Sequence, residues 1–153
     1  MEKIETARLC LTLASDEEMK RMIAAESDAE MKKAYGEMLH GAQDHPEIRE
    51  LYAMWFMKLK EEPDIIIGDL CFKGLSEDGM VEIGYGVSPT YEHHGYATEA
   101  VRALVDWAIN REDVESVEAE ADENNVASQR VLEKCGFVPS RITGAEGPRF
   151  VLR

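Results

Sequence analysis

Apolar and polar residues alternate over several short stretches of the chain, a pattern typical of β-strands, whose side chains point to opposite faces in turn. In the first stretch Leu9, Leu11 and Leu13 share one face. β-Branched residues and flanking turns such as Glu77-Asp78-Gly79 favour strands over short buried helices. The predicted strands cover residues 8–13, 53–60, 65–73, 80–87, 114–121, 137–142 and 148–153.

Apolar residues at three- and four-residue spacing predict helices that bury one face. The clearest case covers residues 96–110, where the apolar positions follow this spacing throughout. Ser15 and Glu18 form a capping box, which predicts that the first helix begins directly after Ser15. The predicted helices cover residues 16–25, 28–40, 96–110 and 125–134, and the second is expected to end at Gly41.

The order of elements is one strand, two helices, three strands, one helix, one strand, one helix and two strands. This order predicts an α/β (α+β) fold in which a mixed, mostly antiparallel twisted sheet of about seven strands is flanked by four helices. One βαβ crossover is expected. The 153 residues contain no repeat, low-complexity tract or linker, so we expect a single domain over residues 1–153.

The charge of the chain narrows the set of partners. There are 31 acidic residues against 17 lysines and arginines, a formal net charge of −14. Nucleic acids and anionic membrane surfaces need a basic face, so we expect neither as a partner, while a cationic amine is compatible with the charge. Much of the acid excess also serves solubility.

Cysteine, histidine and apolar residues indicate the compartment and exclude some classes of site. Cys10, Cys71 and Cys135 are widely spaced and odd in number, as is typical of reduced thiols in a cytoplasmic protein. No apolar run reaches the roughly 20 residues of a membrane-spanning helix. The four histidines lack the spacing of metal ligands, so no metal is expected.

The segment from Val87 to Ala97 contains a candidate anion site. A strand ends at Val87, a loop follows, and Gly95 opens a long helix. A glycine turn into a helix N-terminus exposes backbone N–H groups at the positive end of the helix dipole, an arrangement that binds phosphate or pyrophosphate. An ordinary strand–turn–helix corner with a sterically required glycine has the same pattern. Both interpretations are compatible with this segment alone.

Taken with a second segment, this corner resembles the GCN5-related N-acetyltransferase (GNAT) superfamily. That family has a pyrophosphate loop of the form [QR]-x-x-G-x-[GA] after its fourth strand, and later a helix marked N-x-x-S…K-x-G-F. The matching residues are Glu92-His93-His94-Gly95-Tyr96-Ala97 and Asn125-Val126-Ala127-Ser128 through Lys134-Cys135-Gly136-Phe137. Similarity to the ribosomal-protein-alanine N-acetyltransferase-like subgroup lies in Glu5-Thr6-Ala7-Arg8-Leu9, Ile67-Gly68, Glu82-Ile83-Gly84-Tyr85 and Gly147-Pro148-Arg149-Phe150.

The resemblance implies a GNAT-like fold and an N-acetyltransferase that moves an acetyl group from acetyl-CoA to a primary amine by direct attack. The implied acceptor is a protein N-terminus or a small amine, and a homodimer is compatible with the family. No metal is implied. The cofactor-binding residues that the resemblance implies are Gly86, Val87, Glu92, His93, His94, Gly95, Tyr96, Ala97, Thr98, Asn125 and Ser128. Main-chain N–H groups near Gly86 and Val87 are the expected oxyanion donors.

Glu82 and Ser128 are the candidate catalytic residues. Glu82 lies on the strand that leads to the acyl site and is the expected general base, acting through a water; a solvent-facing or paired strand glutamate is the alternative. Many relatives carry a tyrosine proton donor where this chain has Leu132, which leaves Ser128 as the candidate. Ser128 is also compatible with a hydrogen bond inside the helix, and Asn125 with either pantetheine binding or helix capping.

Two departures from the family pattern keep an alternative open, a non-catalytic acyl-CoA-binding or sensor module on the same fold. One is Leu132. The other is Glu92, where relatives have Gln or Arg, because a carboxylate beside a pyrophosphate weakens binding. Protonated His93 and His94 would offset that charge. If backbone N–H groups make the main contacts, the Glu92 side chain turns to solvent and the pyrophosphate site is retained.

Overall fold

The computed structural model describes residues 3–145 and 147–153; Met1, Glu2 and Glu146 of the predicted domain lie outside them. In chain order the described elements are β1 (Lys3–Glu5), β2 (Leu9–Leu13), α1 (Asp16–Ala25), α2 (Ala29–Asp44), a 3₁₀ helix (Pro46–Leu51), β3 (Trp55–Leu59), β4 (Glu62–Leu75), β5 (Met80–Val87), a second 3₁₀ helix (Pro89–Tyr91), α3 (Tyr96–Ile109), β6 (Ser116–Glu120), α4 (Val126–Lys134), β7 (Val138–Thr143) and β8 (Pro148–Leu152).

The strands of the described residues form one sheet in the order β1-β2-β3-β4-β5-β6-β8-β7. Neighbouring strands are antiparallel except β5 and β6, which are parallel and joined through α3. The predicted mixed, mostly antiparallel sheet with one crossover is therefore confirmed. The described part of the chain contributes eight strands instead of about seven, since Lys3–Glu5 pairs along β2 as a further edge strand. Three residues are too few for alternation to predict a strand.

β5 and β6 pair over only the first part of their length. Met80 lies opposite Ser116, and the pairing ends where Glu82 lies opposite Glu118. Beyond this point residues 83–87 of β5 continue to pair with β4. The two parallel strands therefore separate toward their carboxyl ends and leave a gap in the sheet. Because α3 follows β5 and α4 follows β6, both helices begin at the gap.

The two faces of the sheet carry separate hydrophobic cores. On one side, which we call the α3 face, the helix contributes the apolar stripe predicted from its spacing: Ala100, Val101, Leu104, Val105 and Ala108. On the other side, the α1–α2 face, a smaller cluster joins Met19 of α1, Ala42 of α2 and Phe56 of β3. Trp55 and Met57 belong to the first core, so β3 alternates between the two.

The structure corrects two predicted boundaries. The second helix does not end at Gly41 but continues to Asp44. A Cβ atom at Gly41 would lie 2.9 Å from the Tyr52 ring, so this glycine makes room for packing and does not end the helix. β4 begins at Glu62, three residues before the predicted strand, and so includes part of the predicted turn. Leu59 pairs with Glu62, which makes the connection to β3 tighter than expected.

Candidate active site

A cleft of about 790 Å³ opens at the gap between β5 and β6. It is bounded by the end of β5, the loop to α3, the first turn of α3 and most of α4. Apart from His94, the predicted cofactor residues all line it: Gly86, Val87, Glu92, His93, Gly95, Tyr96, Ala97, Thr98, Asn125 and Ser128. Tyr85 and Arg130 line it as well, although the sequence analysis did not assign them to the site.

Gly95 occupies the N-cap position of α3 with a left-handed backbone, φ 80° and ψ 7°. The first intrahelical bond of α3 runs from the Glu99 N–H to the Gly95 carbonyl, 3.1 Å. The N–H groups of Tyr96, Ala97 and Thr98 precede this bond and have no helix carbonyl to donate to. No side chain caps Gly95 in the described residues. The first turn of α3 therefore presents several backbone donors to the cleft.

Arg8, at the start of β2, holds the loop and the first turn of α3 in place. Its Nη1 donates to the His94 carbonyl oxygen at 2.9 Å, and its Nε donates to Glu99 Oε1 at 2.7 Å. The guanidinium also lies 4.4 Å from the centre of the Tyr96 ring. An arginine that makes all three contacts fixes the loop more rigidly than any single hydrogen bond would.

Glu99 is the carboxylate that binds Arg8. Its Oε2 accepts from the Thr6 hydroxyl at 2.5 Å and from the Arg8 N–H at 2.8 Å. Burial alone would raise the pKa of Glu99, but the hydrogen bonds from Thr6 and Arg8 outweigh it and hold that pKa below its ordinary value. Glu99 therefore remains charged at neutral pH and keeps Arg8 in position.

The side chains at the start of the loop point outward. His93 is 88% exposed and Glu92 is 50% exposed, and the His93 Nε2 lies 4.0 Å from a Glu92 carboxylate oxygen. The His94 Nδ1 lies 3.2 Å from the Tyr91 carbonyl oxygen, and its ring stacks on Tyr96. The Glu92 carboxylate therefore lies at the solvated rim of the cleft.

The first turn of α4 forms the opposite wall. Asn125 caps the helix, because its Oδ1 accepts from the Ser128 N–H at 3.0 Å. The Ser128 hydroxyl lies 2.8 Å from the Tyr85 hydroxyl. Burial raises the pKa of Tyr85, so this phenol carries its proton throughout the neutral range. Leu132 is fully buried in the core and does not reach the cleft.

The profile of the family described as "Acetyltransferase (GNAT) domain" matches residues 3–138. The chain belongs to this family.

Individual GNAT relatives agree with this assignment. The uncharacterized N-acetyltransferase YjdG of Bacillus subtilis is 34% identical over 84 residues, which cover 55% of this chain and 50% of that protein. The chain thus matches about half of the length of this curated relative. A putative ribosomal-protein-serine acetyltransferase from Vibrio cholerae has the same fold, with a TM-score of 0.67, 21% identity and 99% coverage of both chains.

A third GNAT protein was solved with coenzyme A. The ribosomal L7/L12 alpha-N-protein acetyltransferase RimL, in complex with coenzyme A, aligns with a TM-score of 0.73 and 14% identity over 99% of this chain and 97% of its own. At this level of identity the comparison shows a shared fold. Residues of the present chain fit acetyl-CoA on their own geometry, since open N–H groups at the α3 N-terminus suit a pyrophosphate and the gap beside β5 leads into the sheet.

Glu82 lies at the point where this GNAT sheet parts, on the α1–α2 face, and both of its carboxylate oxygens are bound. Oε2 accepts from Lys73 Nζ at 2.8 Å, and Oε1 accepts from Arg149 Nη2 at 3.2 Å. Arg149 also binds Glu118 at 3.0 Å and Glu120 at 2.6 Å. A water or an amine that used Glu82 as a base would compete with two cations for its oxygens. The role of Glu82 as general base stays a prediction.

Arg149 joins the edge of the gap to β8. Burial opposes its charge, but the carboxylates of Glu120, Glu118 and Glu82 together raise the pKa of its guanidinium above the ordinary value. Glu118 and Glu120 are two positions apart on β6 and therefore share one strand face. Arg149 belongs to a segment of family resemblance, but its sequence suggested no contact with Glu82, which it reaches from 67 positions away.

Within residues 3–145 and 147–153, no group of three or more histidine, cysteine, aspartate or glutamate side chains is arranged to hold a metal ion. None of the helices in the same residues combines the length and the apolar character needed to cross a membrane.

Proposed function

We propose that this GNAT protein is an acetyl-CoA-dependent N-acetyltransferase whose acceptor is a primary amine, either a protein N-terminus or a small amine. The observation that carries the proposal is the position of the open α3 N-terminus directly beside the gap between β5 and β6. A ligand whose pyrophosphate lies at Gly95 can extend its thioester arm along α4 into that gap. The fold of the coenzyme A complex of RimL supports the same placement.

The end of β5 provides the proposed oxyanion donor. Bound acetyl-CoA supplies a thioester whose carbonyl oxygen gains charge during attack. The Ser88 N–H donates to the Ile67 carbonyl of β4 at 2.8 Å. Because successive N–H groups of a strand point to opposite sides, the Val87 N–H points away from β4 and into the gap. A backbone donor held in this way stabilises developing negative charge without reorganising.

The hydroxyl pair of Tyr85 and Ser128 is the proposed proton source for the departing thiolate. The sequence analysis assigned this role to Ser128 alone because Leu132 replaces the usual tyrosine. The 2.8 Å contact supports a pair in which the Tyr85 phenol supplies the proton through, or together with, Ser128. The pKa of Tyr85 is raised by burial, so the phenol is a donor at neutral pH.

A cytoplasmic location is part of the proposal. All three cysteines are unpaired in the structure. Burial raises the pKa of the Cys71 thiol to about 11, which makes it an unreactive core group. Buried thiols of this kind are typical of proteins from a reducing compartment.

The test is a panel of amines with detection of free thiol. The panel contains peptides with free N-termini, polyamines, amino acids and aminoglycosides, each with acetyl-CoA as donor. We expect thiol release with at least one amine. We also expect acetyl-CoA to raise the melting temperature when no amine is present. Stabilisation by acetyl-CoA without thiol release from any amine would favour the acyl-CoA sensor module. No stabilisation and no release would refute both functions.

A further inference from the structure

Asp69 lies on β4 directly across from the end of β5. Its register partners are Phe56 on β3 and Gly86 on β5. Directly opposite residues of antiparallel strands place their side chains on the same face of the sheet. Phe56 belongs to the core of the α1–α2 face, so the Asp69 carboxylate lies on this face too, beside the backbone that borders the acetyl-CoA cleft.

The Asp69 carboxylate differs from those of Glu82 and Glu99 because no cation binds it. Glu82 is bound by Lys73 and Arg149, and Glu99 is bound by Arg8. The carboxylate of Asp69 has no hydrogen bond or ion pair within residues 3–145 and 147–153. Burial raises the pKa of Asp69 above its ordinary value, and no opposite charge offsets that effect. An uncompensated carboxylate beneath α2 lowers stability, so its presence calls for a functional reason.

An open volume adjoins this carboxylate. A Cβ atom placed on Gly86 would meet no other atom within 4 Å, and that Cβ would point to the same face as Asp69. Gly86 also lines the acetyl-CoA cleft. The glycine therefore leaves free space between the carboxylate and the place where the gap admits the thioester. Tyr35 of α2 is close enough for the Asp69 charge, second to burial, to raise the pKa of its phenol.

We propose that Asp69 is the catalytic residue that binds the acceptor's ammonium group on the α1–α2 face and accepts its proton, so that the amine reaches the acyl carbon past Gly86. The proposal rests on the N-acetyltransferase function proposed above. It makes the acceptor a cationic amine and brings it in from the face of the sheet opposite to α3. Glu82 then has a structural role, in which its ion pairs with Lys73 and Arg149 hold the strands beside the gap in position.

The transfer balances in protons and electrons. Asp69 takes one proton from the ammonium, and the nitrogen lone pair forms the C–N bond to the acetyl carbonyl carbon. The C–S bond breaks and its electron pair leaves on sulfur. The Tyr85–Ser128 hydroxyl pair gives a proton to the thiolate, a second proton leaves the nitrogen as the amide forms and restores the pair, and the third stays on the amide. Asp69 releases its proton to solvent, so an ammonium and a thioester become an acetamide, a thiol and one proton.

The charge of Asp69 also leads to a prediction about stability. A structural role of this carboxylate would predict a change of the melting temperature in the opposite direction. A carboxyl whose pKa is raised in the folded state opposes folding above its unfolded pKa of about 3.9. The neutral amide of Asp69→Asn has the same size and no charge to bury. We expect Asp69→Asn to melt at the same temperature as wild type or higher at pH 7, whereas loss of a structural carboxylate would lower the melting temperature.

The experiment measures kcat and KM over pH 6–10 with the best amine of the panel. It compares wild type, Asp69→Asn, Asp69→Glu and Glu82→Gln, and records the melting temperature and acetyl-CoA affinity of each. We expect Asp69→Asn to lower kcat/KM roughly a hundredfold or more at pH 7, with acetyl-CoA affinity unchanged. Its remaining activity should rise with pH, because the amine then loses its proton to solvent, and Asp69→Glu should restore part of the activity.

The titratable groups that the Asp69 charge reaches are Tyr35 on α2 and Cys71 on β4. Tyr35 also feels the charge of Glu26 after α1, and Cys71 feels those of Lys73 and Glu82 on the sheet. Tyr35→Phe therefore serves as a control, which should leave the acidic limb of the pH profile in place. A second readout needs no turnover: calorimetric binding of 1,4-diaminobutane to the protein with coenzyme A should weaken at least tenfold in Asp69→Asn.

The two proposals fail in different ways. If wild type binds acetyl-CoA but acetylates no amine, the N-acetyltransferase function is wrong. If wild type is active and Asp69→Asn retains its kcat/KM, its pH profile and its diamine affinity, the role of Asp69 alone is wrong. A melting temperature of Asp69→Asn well below that of wild type would assign the carboxylate a structural role, which also overturns the proposal.

Discussion

At the scale of single residues, Gly95 decides whether the α3 N-terminus can hold a phosphate. Its φ of 80° lies in the left-handed region that side chains avoid, and a Cβ atom would lie 3.4 Å from Arg8 Nη2. Gly95→Ala forces the loop to rearrange or to bear roughly 1–2 kcal/mol of strain. We expect acetyl-CoA affinity by calorimetry to fall at least tenfold. The matched control is Gly36→Ala, whose Cβ meets nothing within 4 Å and which should bind like wild type.

Glu82 leads to a second prediction at this scale. Its carboxylate is held by Lys73 and Arg149 and is only 18% exposed, so Glu82→Gln leaves Arg149 with fewer counter-charges in a half-buried position. We expect Glu82→Gln to lower the free energy of unfolding by about 1–3 kcal/mol in urea titrations at pH 7. Glu5→Gln removes the same charge from an exposed pair with Lys3 and should change it little. Equal effects of the two variants would contradict a stabilising role of Glu82.

The sequence predicted the residues that line the cleft better than it predicted the surroundings of Glu82 and Asp69. Gly95, Asn125 and Ser128 belong to contiguous motifs, and local geometry is enough to place them together. The environment of Glu82 depends on Arg149, which lies on β8. The position of Asp69 depends on its register with Gly86. Strand register and side-chain pairing between distant segments are tertiary properties, and no local pattern contains them.

At the scale of elements, the start of β2 and the start of α3 act as one unit through Arg8. Its contacts with the His94 carbonyl, Glu99 and the Tyr96 ring fix the loop whose backbone faces the cleft. Arg8→Met keeps the aliphatic stem but loses the donors. We expect acetyl-CoA affinity to fall about tenfold, the equivalent of one charge-assisted hydrogen bond of about 1.4 kcal/mol. Arg21→Met, on the exposed surface of α1, changes charge equally and should leave affinity unchanged.

The accuracy of the element predictions follows from how strongly each segment is patterned. Helix α3 has a full apolar stripe, and its observed end at Ile109 lies one residue from the prediction. Helix α2 is amphipathic only weakly, and Gly41 suggested an end that the packing of Tyr52 overrules. The edge strand β1 takes its place from pairing with β2, so the sequence before Thr6 carries no sign of it. Periodicity predicts elements that bury a face and misses those fixed by a partner.

At the scale of the whole molecule, the proposed function places two ligands on opposite faces of the sheet and separates them by charge. On the α3 face, the anionic cosubstrate would lie at a helix N-terminus and beside Arg8, within a chain whose net charge is −14. On the α1–α2 face, Asp69 and the partly neutralised carboxylates around Arg149 would meet the amine. The two faces meet at the gap between β5 and β6, so the proposed reaction takes place where neither ligand blocks the other.

The same acid excess predicts how the whole fold responds to pH and salt. Lowering the pH from 7 toward the isoelectric point near 4.7 removes negative charge, and the pKa of Asp69, raised by burial, means that this group takes up its proton before an ordinary aspartate would. We therefore expect the melting temperature to rise. Below this, three carboxyls oppose further acidification because their folded pKa values lie under the unfolded ones: Asp16 bonded to Gln43, Asp113 bonded to Arg111, and Glu99 bonded to Thr6 and Arg8. Their stabilisation is complete above the unfolded pKa of about 4 and is lost as the pH falls through the folded values. Calorimetric scans should therefore show a maximum of the melting temperature near pH 5.

The acid excess also predicts an effect of salt. Adding about 0.5 M NaCl should raise the melting temperature at pH 7, because salt screens the repulsion, and should raise it much less at pH 4.7. A melting temperature that falls with salt at pH 7 would show that ion pairs outweigh net repulsion. A melting temperature that keeps rising below pH 3.5 would show that the paired carboxylates contribute little to stability.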